Sequence, residues 1–433
     1  MDEFVAVSPT FTAAQRLLLR TVLGLRHIAV NVPTPVRLCL SGEARTASWF
    51  DDTDARSLIS DAYARIGVHD VRFVETRAAE NLSSFECVMS RQLSDALLAA
   101  ATQSDNLDDD LDGNPYDALM NPYPPGIEAV KVAREPGVAL NAYATGRRDL
   151  PPLLMVLPFG MPLDLCLDWF TDLGTRHRVI TWETRCLFGD CDDFDAARID
   201  LDAQIDDLFA VMQHFKVSGA QVMGICGGAV VALAAAARPG DHVRSLSLWY
   251  GDYPFADADL RTRHQANFEW LMEAASQTRD DARGLQGMFV DPATLATTPA
   301  EIAHLSLYPY VNAELLYRYA RLNDALNKTD IMAWLPRVTA PTLVVTGDSD
   351  ETTHAGGSVF VADRIADAQL HVEPGGSHTA FFGKPAPLVA LAHAFLREHA
   401  TRTGTGTNTG THAVAGHASV GEPHTVHPDP VYQ

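Results

Sequence analysis

Three short stretches of this 433-residue chain hold the residue types of a nucleophilic relay. The first is Gly224-Ile225-Cys226-Gly227-Gly228, a cysteine with a glycine at two positions to either side. A short apolar run over 220–223 precedes it, and a strong helix former over 229–237 follows, closed by Pro239-Gly240. A strand that turns at once into a helix is strained, and side chains larger than glycine collide beside the turn. Such a turn projects Cys226 at a helix N-terminus, where unpaired N–H groups favour a thiolate. The plain alternative is a small buried cysteine beside a tight turn.

A nucleophilic thiol needs a base, and the base needs an orienting acid. The second stretch, 340–350, reads as a buried strand ending in a loop with Asp348 and Asp350. The third, 369–378, reads as a strand ending in a Gly-rich turn that presents His378. Both loops follow the C-terminal ends of strands, where open parallel sheets gather their ligand sites.

On these residues, in the order nucleophile, acid, histidine, the chain from about Ile127 to Ala400 resembles an α/β hydrolase. Its elbow is similar to those of the cysteine-bearing members: dienelactone hydrolases, polyhydroxyalkanoate synthases and some assembly-line thioesterases. The resemblance implies Cys226 as nucleophile, His378 as general base and Asp350 as orienting acid. Asp350 is preferred to Asp348 because Gly347 through Asp350 match the family pattern Gly-x-x-Asp, leaving Asp348 a turn residue. Asp252, after the strand over 245–250, is a second choice of acid. The resemblance also implies an oxyanion hole from the N–H groups of Gly227 and Met161. Met161 lies in Phe159-Gly160-Met161-Pro162, where many relatives have His-Gly. Neither cofactor nor metal is implied.

A thiol nucleophile exchanges readily with a thioester but handles an alkyl ester poorly, because the tetrahedral intermediate expels thiolate in preference to alkoxide. The expected substrate is therefore an acyl thioester on coenzyme A or on an acyl or peptidyl carrier protein, with transfer or hydrolysis to follow. A helical lid over about 253–335 would decide whether water reaches the acyl-enzyme. It carries Phe268, Trp270, Tyr308, Tyr310, Tyr317 and Tyr319, expected mostly as packing with a minority lining a pocket. Two other readings compete: a lactone hydrolase of the dienelactone type, and a non-catalytic binding protein on the same fold. His371, inside a strand, reads as a core or face residue, and His354 as a loop residue near the entrance.

Composition bounds the partners. A net charge of −22 argues against nucleic acid and anionic membrane, and it demands a local basic patch if an acidic carrier is to dock. The pattern over 13–27, with Arg16, Arg20 and Arg26 among leucines, is either that patch or an ordinary packed helix. No apolar run reaches the ~18 residues of a membrane span, and no signal segment is apparent. Together with six scattered cysteines, this leads to the expectation of a cytoplasmic protein. Cys186 and Cys191 bracket a loop and read as free thiols. Self-association into a homo-oligomer is left open.

The fold class expected is α/β, a doubly wound, mostly parallel sheet with a helical lid and an N-terminal α/β accessory region over 1–125. Strands near 36–40 and 71–75, with helices over 54–66 and 90–103, fill that region. An acidic linker follows, in which Asp108, Asp110, Asp112 and Gly113 imitate a calcium loop but Leu119 occupies the position of its bidentate carboxylate. The hydrolase-like domain occupies 127–400, and a Thr/Gly-rich tail over 401–433 is expected to be disordered.

Overall fold

Two sheets organise the chain in the computed structural model, which describes residues 12–40, 52–75, 81–102, 122–289 and 298–400. The acidic linker and the Thr/Gly-rich tail lie outside the described residues. The first sheet is small. Its strands β1 (Val36–Leu38) and β2 (Val71–Phe73) run parallel, joined through the helix Asp52–Arg65. Helices Ala13–Gly24 and Ser84–Thr102 cover it, sharing a core of Leu18, Val22, Ile59, Tyr63 and Met89. The second of these helices begins at Ser84 rather than near Ser90, because Ser83 and Glu86 cap each other. The Glu86 N–H donates to Ser83 Oγ at 3.3 Å, and the Ser83 N–H to Glu86 Oε2 at 2.7 Å. Arg37 grips the same carboxylate at 3.0 and 2.7 Å. Burial would raise Glu86, but these bonds hold it below the usual carboxylate range.

The second sheet has nine strands: β3 (Glu128–Ala133), β4 (Val138–Thr145), β5 (Pro152–Val156), β6 (Arg178–Trp182), β7 (Asp190–Cys191), β8 (Ala220–Ile225), β9 (Val243–Trp249), β10 (Thr342–Gly347) and β11 (Ala368–Glu373). Their order is β11-β10-β9-β8-β5-β6-β4-β3, with the short β7 on β4. The hairpin β3–β4 is antiparallel at one edge; β5, β6 and β8 to β11 pair in parallel. Every residue of β6, β8 and β10 is buried, as continuous apolar strands require when helices cover both faces. The helix Gly228–Ala236 is buried from Gly228 through Ala235, so its alanines and valines face protein on all sides. From β5 the chain passes to β6 on one side and returns to β8 on the other. The crevice at that switch opens between the loops that follow β5 and β8.

The lid spans the interval between β9 and β10, with helices Arg263–Ala275, Arg279–Phe289, Ala300–Ser306 and Ala313–Asn327. The small N-terminal layer docks on it. Gln92 Nε2 donates to the Ala300 carbonyl at 2.9 Å, and Asn312 Nδ2 to the Asn31 carbonyl at 3.0 Å. The pattern over 13–27 breaks at Leu25, and a short second helix, Arg26–Ala29, turns Arg26 and His27 inward onto Asp164 at 2.6 and 2.9 Å. Arg26 also stands 5.4 Å over the ring of Tyr123. It is therefore part of the interior and not of a solvent-facing basic patch. No described helix is long and apolar enough to cross a membrane.

Candidate active site

The turn after β8 is built by close contact. Cys226 has φ 52°, and its N–H donates to the Trp249 carbonyl at 3.0 Å. A Cβ on Gly228 would lie 2.3 Å from the Leu157 carbonyl oxygen, and one on Gly224 would lie 2.7 Å from both Ala229 Cα and Ala232 Cβ. Both glycines are thus demanded by the helix pressing on β5 and on its own strand. The cost of the left-handed Cys226 is carried by the packed elements on either side.

His378 comes from the far edge of the sheet. After β11 the chain turns at Gly375, φ 67°, and Ser377 caps the short helix His378–Phe382 by accepting the Ala380 N–H at 3.3 Å. The imidazole is buried, and its Nδ1 lies 3.0 Å from Asp350 Oδ2. With Nδ1 committed to the carboxylate, Nε2 is the nitrogen left for the sulfur. Burial alone would lower His378. Charge on Cys226 and the bond to Asp350 outweigh it and lift the imidazole to about 10. Asp350 is saturated: Oδ1 accepts the N–H groups of Thr352 and Thr353 at 2.8 and 2.9 Å, and Oδ2 the Thr353 hydroxyl at 2.8 Å. Burial pushes Asp350 up, but His378 and Thr353 hold it below the usual range.

The neighbouring residues divide as their contexts require. Asp348 Oδ1 accepts the Gly375 N–H at 2.7 Å, tying one loop to the other as a turn residue would. His371 on β11 pairs with Glu373 at 2.9 Å, and His354 begins the helix Ala355–Ala362. Cys186 and Cys191 are free thiols.

The loop after β5 departs from expectation. The Met161 N–H is already given to the Pro158 carbonyl at 3.1 Å in a tight turn, and the Gly160 N–H to Thr184 Oγ1 at 2.9 Å. Phe159 instead lies against Gly227: a Cβ there would be 2.9 Å from Phe159 Cβ and 3.8 Å from Phe159 N. Among the described residues neither the Phe159 nor the Gly227 N–H meets a protein acceptor. Beyond the loop, the Leu163 N–H donates to Glu183 Oε1 at 3.1 Å. Glu183 is a buried carboxyl, pushed up by burial, that also takes Tyr143 Oη at 3.0 Å and Asn141 Nδ2 at 3.1 Å. Nothing in the sequence pattern marks Glu183.

The lid supplies the remaining wall. Tyr319 rests on the loop, its Cε2 2.3 Å from where a Gly160 Cβ would be, and meets Tyr310 nearly edge-on with centroids 5.8 Å apart. Phe268 adjoins Tyr319 at 6.2 Å. Burial pushes both phenols up, and Tyr319 stacks on Phe159 with centroids 6.5 Å apart. Tyr308 and Tyr317 pack elsewhere, on Phe188 and on Phe194, while Trp270 is 61% exposed. Asp252 is a further carboxyl at the nucleophile: its N–H donates to the Cys226 carbonyl at 3.2 Å, and its Oδ1 accepts Gln265 Nε2 from the lid at 2.7 Å.

An esterase from a Rhodococcus species matches with a TM-score of 0.51 at 19% identity, over 63% of this chain and 99% of its own. A hydrolase from Pseudomonas aeruginosa matches with a TM-score of 0.50 at 21% identity, over 62% and 98%. This chain has the α/β-hydrolase fold. No family model matches this chain. One curated relative, an L-allo-isoleucyltransferase from Pseudomonas savastanoi pv. glycinea, is 23% identical over 182 residues, 42% of this chain. The match spans 64% of that relative's length.

Proposed function

We propose that this protein is an acyl-transferring enzyme that draws its acyl group from a thioester onto Cys226. The observation that carries the reading is the buried His378, bonded to Asp350 through Nδ1 so that Nε2 is left for the elbow cysteine. Cys226 attacks the thioester carbonyl as thiolate, and the N–H groups of Phe159 and Gly227 receive the oxygen as it becomes an oxyanion. Collapse breaks the carbon–sulfur bond of the donor, and the imidazolium of His378 gives its proton to the departing thiolate. The acyl-cysteine so formed is another thioester and keeps the acyl group activated. An acceptor then gives its proton to His378, attacks the same carbonyl and releases Cys226. The transferase reading is favoured over simple hydrolysis by the aromatic lid, whose Tyr319 stacks on Phe159 beside Gly227 and so limits water, and by the transferase activity of the curated relative.

The test is an intact-mass panel of coenzyme A-bound and carrier-bound acyl groups, with and without a second thiol as acceptor. One acyl mass on wild type, absent from Cys226→Ala and cleared faster by the acceptor thiol than by water, is the expected result. An adduct that only water clears supports a thioesterase instead. Absence of any adduct across the panel overturns the reading and favours a lactone substrate or a binding role.

A further inference from the structure

We infer that Asp252 is the specificity-determining residue of this site, a carboxylate that receives a positively charged amino group on the acyl chain and so selects aminoacyl thioesters. The inference rests on the acyl-transfer reading above and names the substrate class within it.

Asp252 has no part in orienting the base. That work falls to Asp350, whose oxygens are filled by His378, Thr352 and Thr353. Yet Asp252 is fastened to the nucleophile itself. The chain leaves β9 through Tyr250, φ 50°, and the Asp252 N–H then binds the carbonyl of Cys226 at 3.2 Å. The carboxyl is fixed from the opposite side by Gln265, which donates to Oδ1 at 2.7 Å. Gln265 is itself locked, for its Oε1 accepts the N–H groups of Thr262 and His354, each at 3.0 Å. A lid helix and two catalytic loops therefore converge to hold this one carboxylate still.

It is held without a cationic partner in contact. Among the described residues, Gln265 is the single hydrogen-bond donor to the side chain. Burial pushes the Asp252 carboxyl above the ordinary value, and Gln265, His378 and His264 offset this only in part. A half-buried carboxylate with one neutral donor is an incomplete arrangement that a ligand cation would complete. The α-ammonium of an aminoacyl group is attached to the carbon next to the reacting carbonyl, so its receptor has to stand beside the nucleophile. Asp252 does. The ring of Tyr319, stacked on Phe159 beside the elbow, presents aromatic surface that a cation tolerates well.

The experiment compares an isoleucyl coenzyme A thioester with the same chain lacking its amino group, reading Cys226 loading rates by rapid quench and intact mass. Wild type is expected to load the aminoacyl chain faster. Asp252→Asn keeps the acceptor for Gln265 but removes the charge. Its preference is expected to collapse by about 10- to 100-fold, the worth of a charge-assisted hydrogen bond. Aminoacyl loading falls, while loading of the apolar chain rises because no uncompensated carboxylate faces it. Asp252→Glu retains the charge and is expected to retain the preference. Equal slowing of both chains in Asp252→Asn, a wild type indifferent to the amino group, or an Asp252→Glu without preference overturns the inference while leaving acyl transfer intact. A wild type that loads neither chain overturns both.

Discussion

The elbow after β8 and the small N-terminal layer reach their shapes by opposite means. At the elbow the backbone itself is the constraint. Cys226 is held at φ 52°, and a Cβ on Gly228 would be driven to 2.3 Å from a main-chain oxygen. In the N-terminal layer the constraint is side-chain packing of Leu18, Ile59 and Tyr63, with the Arg37–Glu86 pair at its edge. Its turn glycine, Gly67, has φ 92° but nothing within 4 Å of where a Cβ would stand. Backbone-to-backbone contact admits one residue type, whereas a packed core admits many of similar volume. Chemistry on this chain is gathered where the choice is narrowest.

That contrast can be broken at either end. The largest effect is expected at Gly228→Ala, where neither the helix nor β5 can give way cheaply. Destabilisation of about 3 kcal/mol, at the upper end for overpacking, should appear in calorimetry as a Tm lower by several degrees, with Cys226 acylation lost. An unchanged Tm would show that the elbow is looser than its contacts imply. A smaller effect is expected at Gly67→Ala, where only the left-handed backbone resists. There a loss of about 1 kcal/mol should leave the acylation rate of Cys226 at its wild-type value. A Gly67→Ala variant that folds as well but acylates slowly would mean that the N-terminal layer steers the site.

How much of this was legible follows from the same physics. The strand–glycine–helix passage around Cys226 and the strand-end loops of Asp350 and His378 leave local marks in the sequence, and the side chains of Asp350 and His378 meet in the structure. The oxyanion donor left no such mark. A backbone N–H has no side-chain signature, and the turn that returns the Met161 N–H to Pro158 shifts the free donor to Phe159. Asp252 was visible as a strand-end acid, but its tie to Gln265 depends on how the lid helix docks. The N-terminal elements were recognisable by periodicity, with ends displaced by the Ser83–Glu86 cap. Their attachment through Arg26 and Asp164 joins residues 138 positions apart, and no local pattern encodes it.

The central claim is that the sulfur of Cys226 and the imidazole of His378 form one charged pair. It is tested most directly by following the protonation of His378 by NMR of isotopically labelled histidine, in wild type and in Cys226→Ala. His378 is raised above its ordinary 6.5, so in wild type it should keep its proton until the pH approaches about 10. In Cys226→Ala the largest raising influence is gone, burial is opposed by Asp350 alone, and the proton should leave at a distinctly lower pH. Identical titrations in the two proteins, or a wild-type His378 already neutral at pH 7, would contradict the pairing and with it the nucleophile.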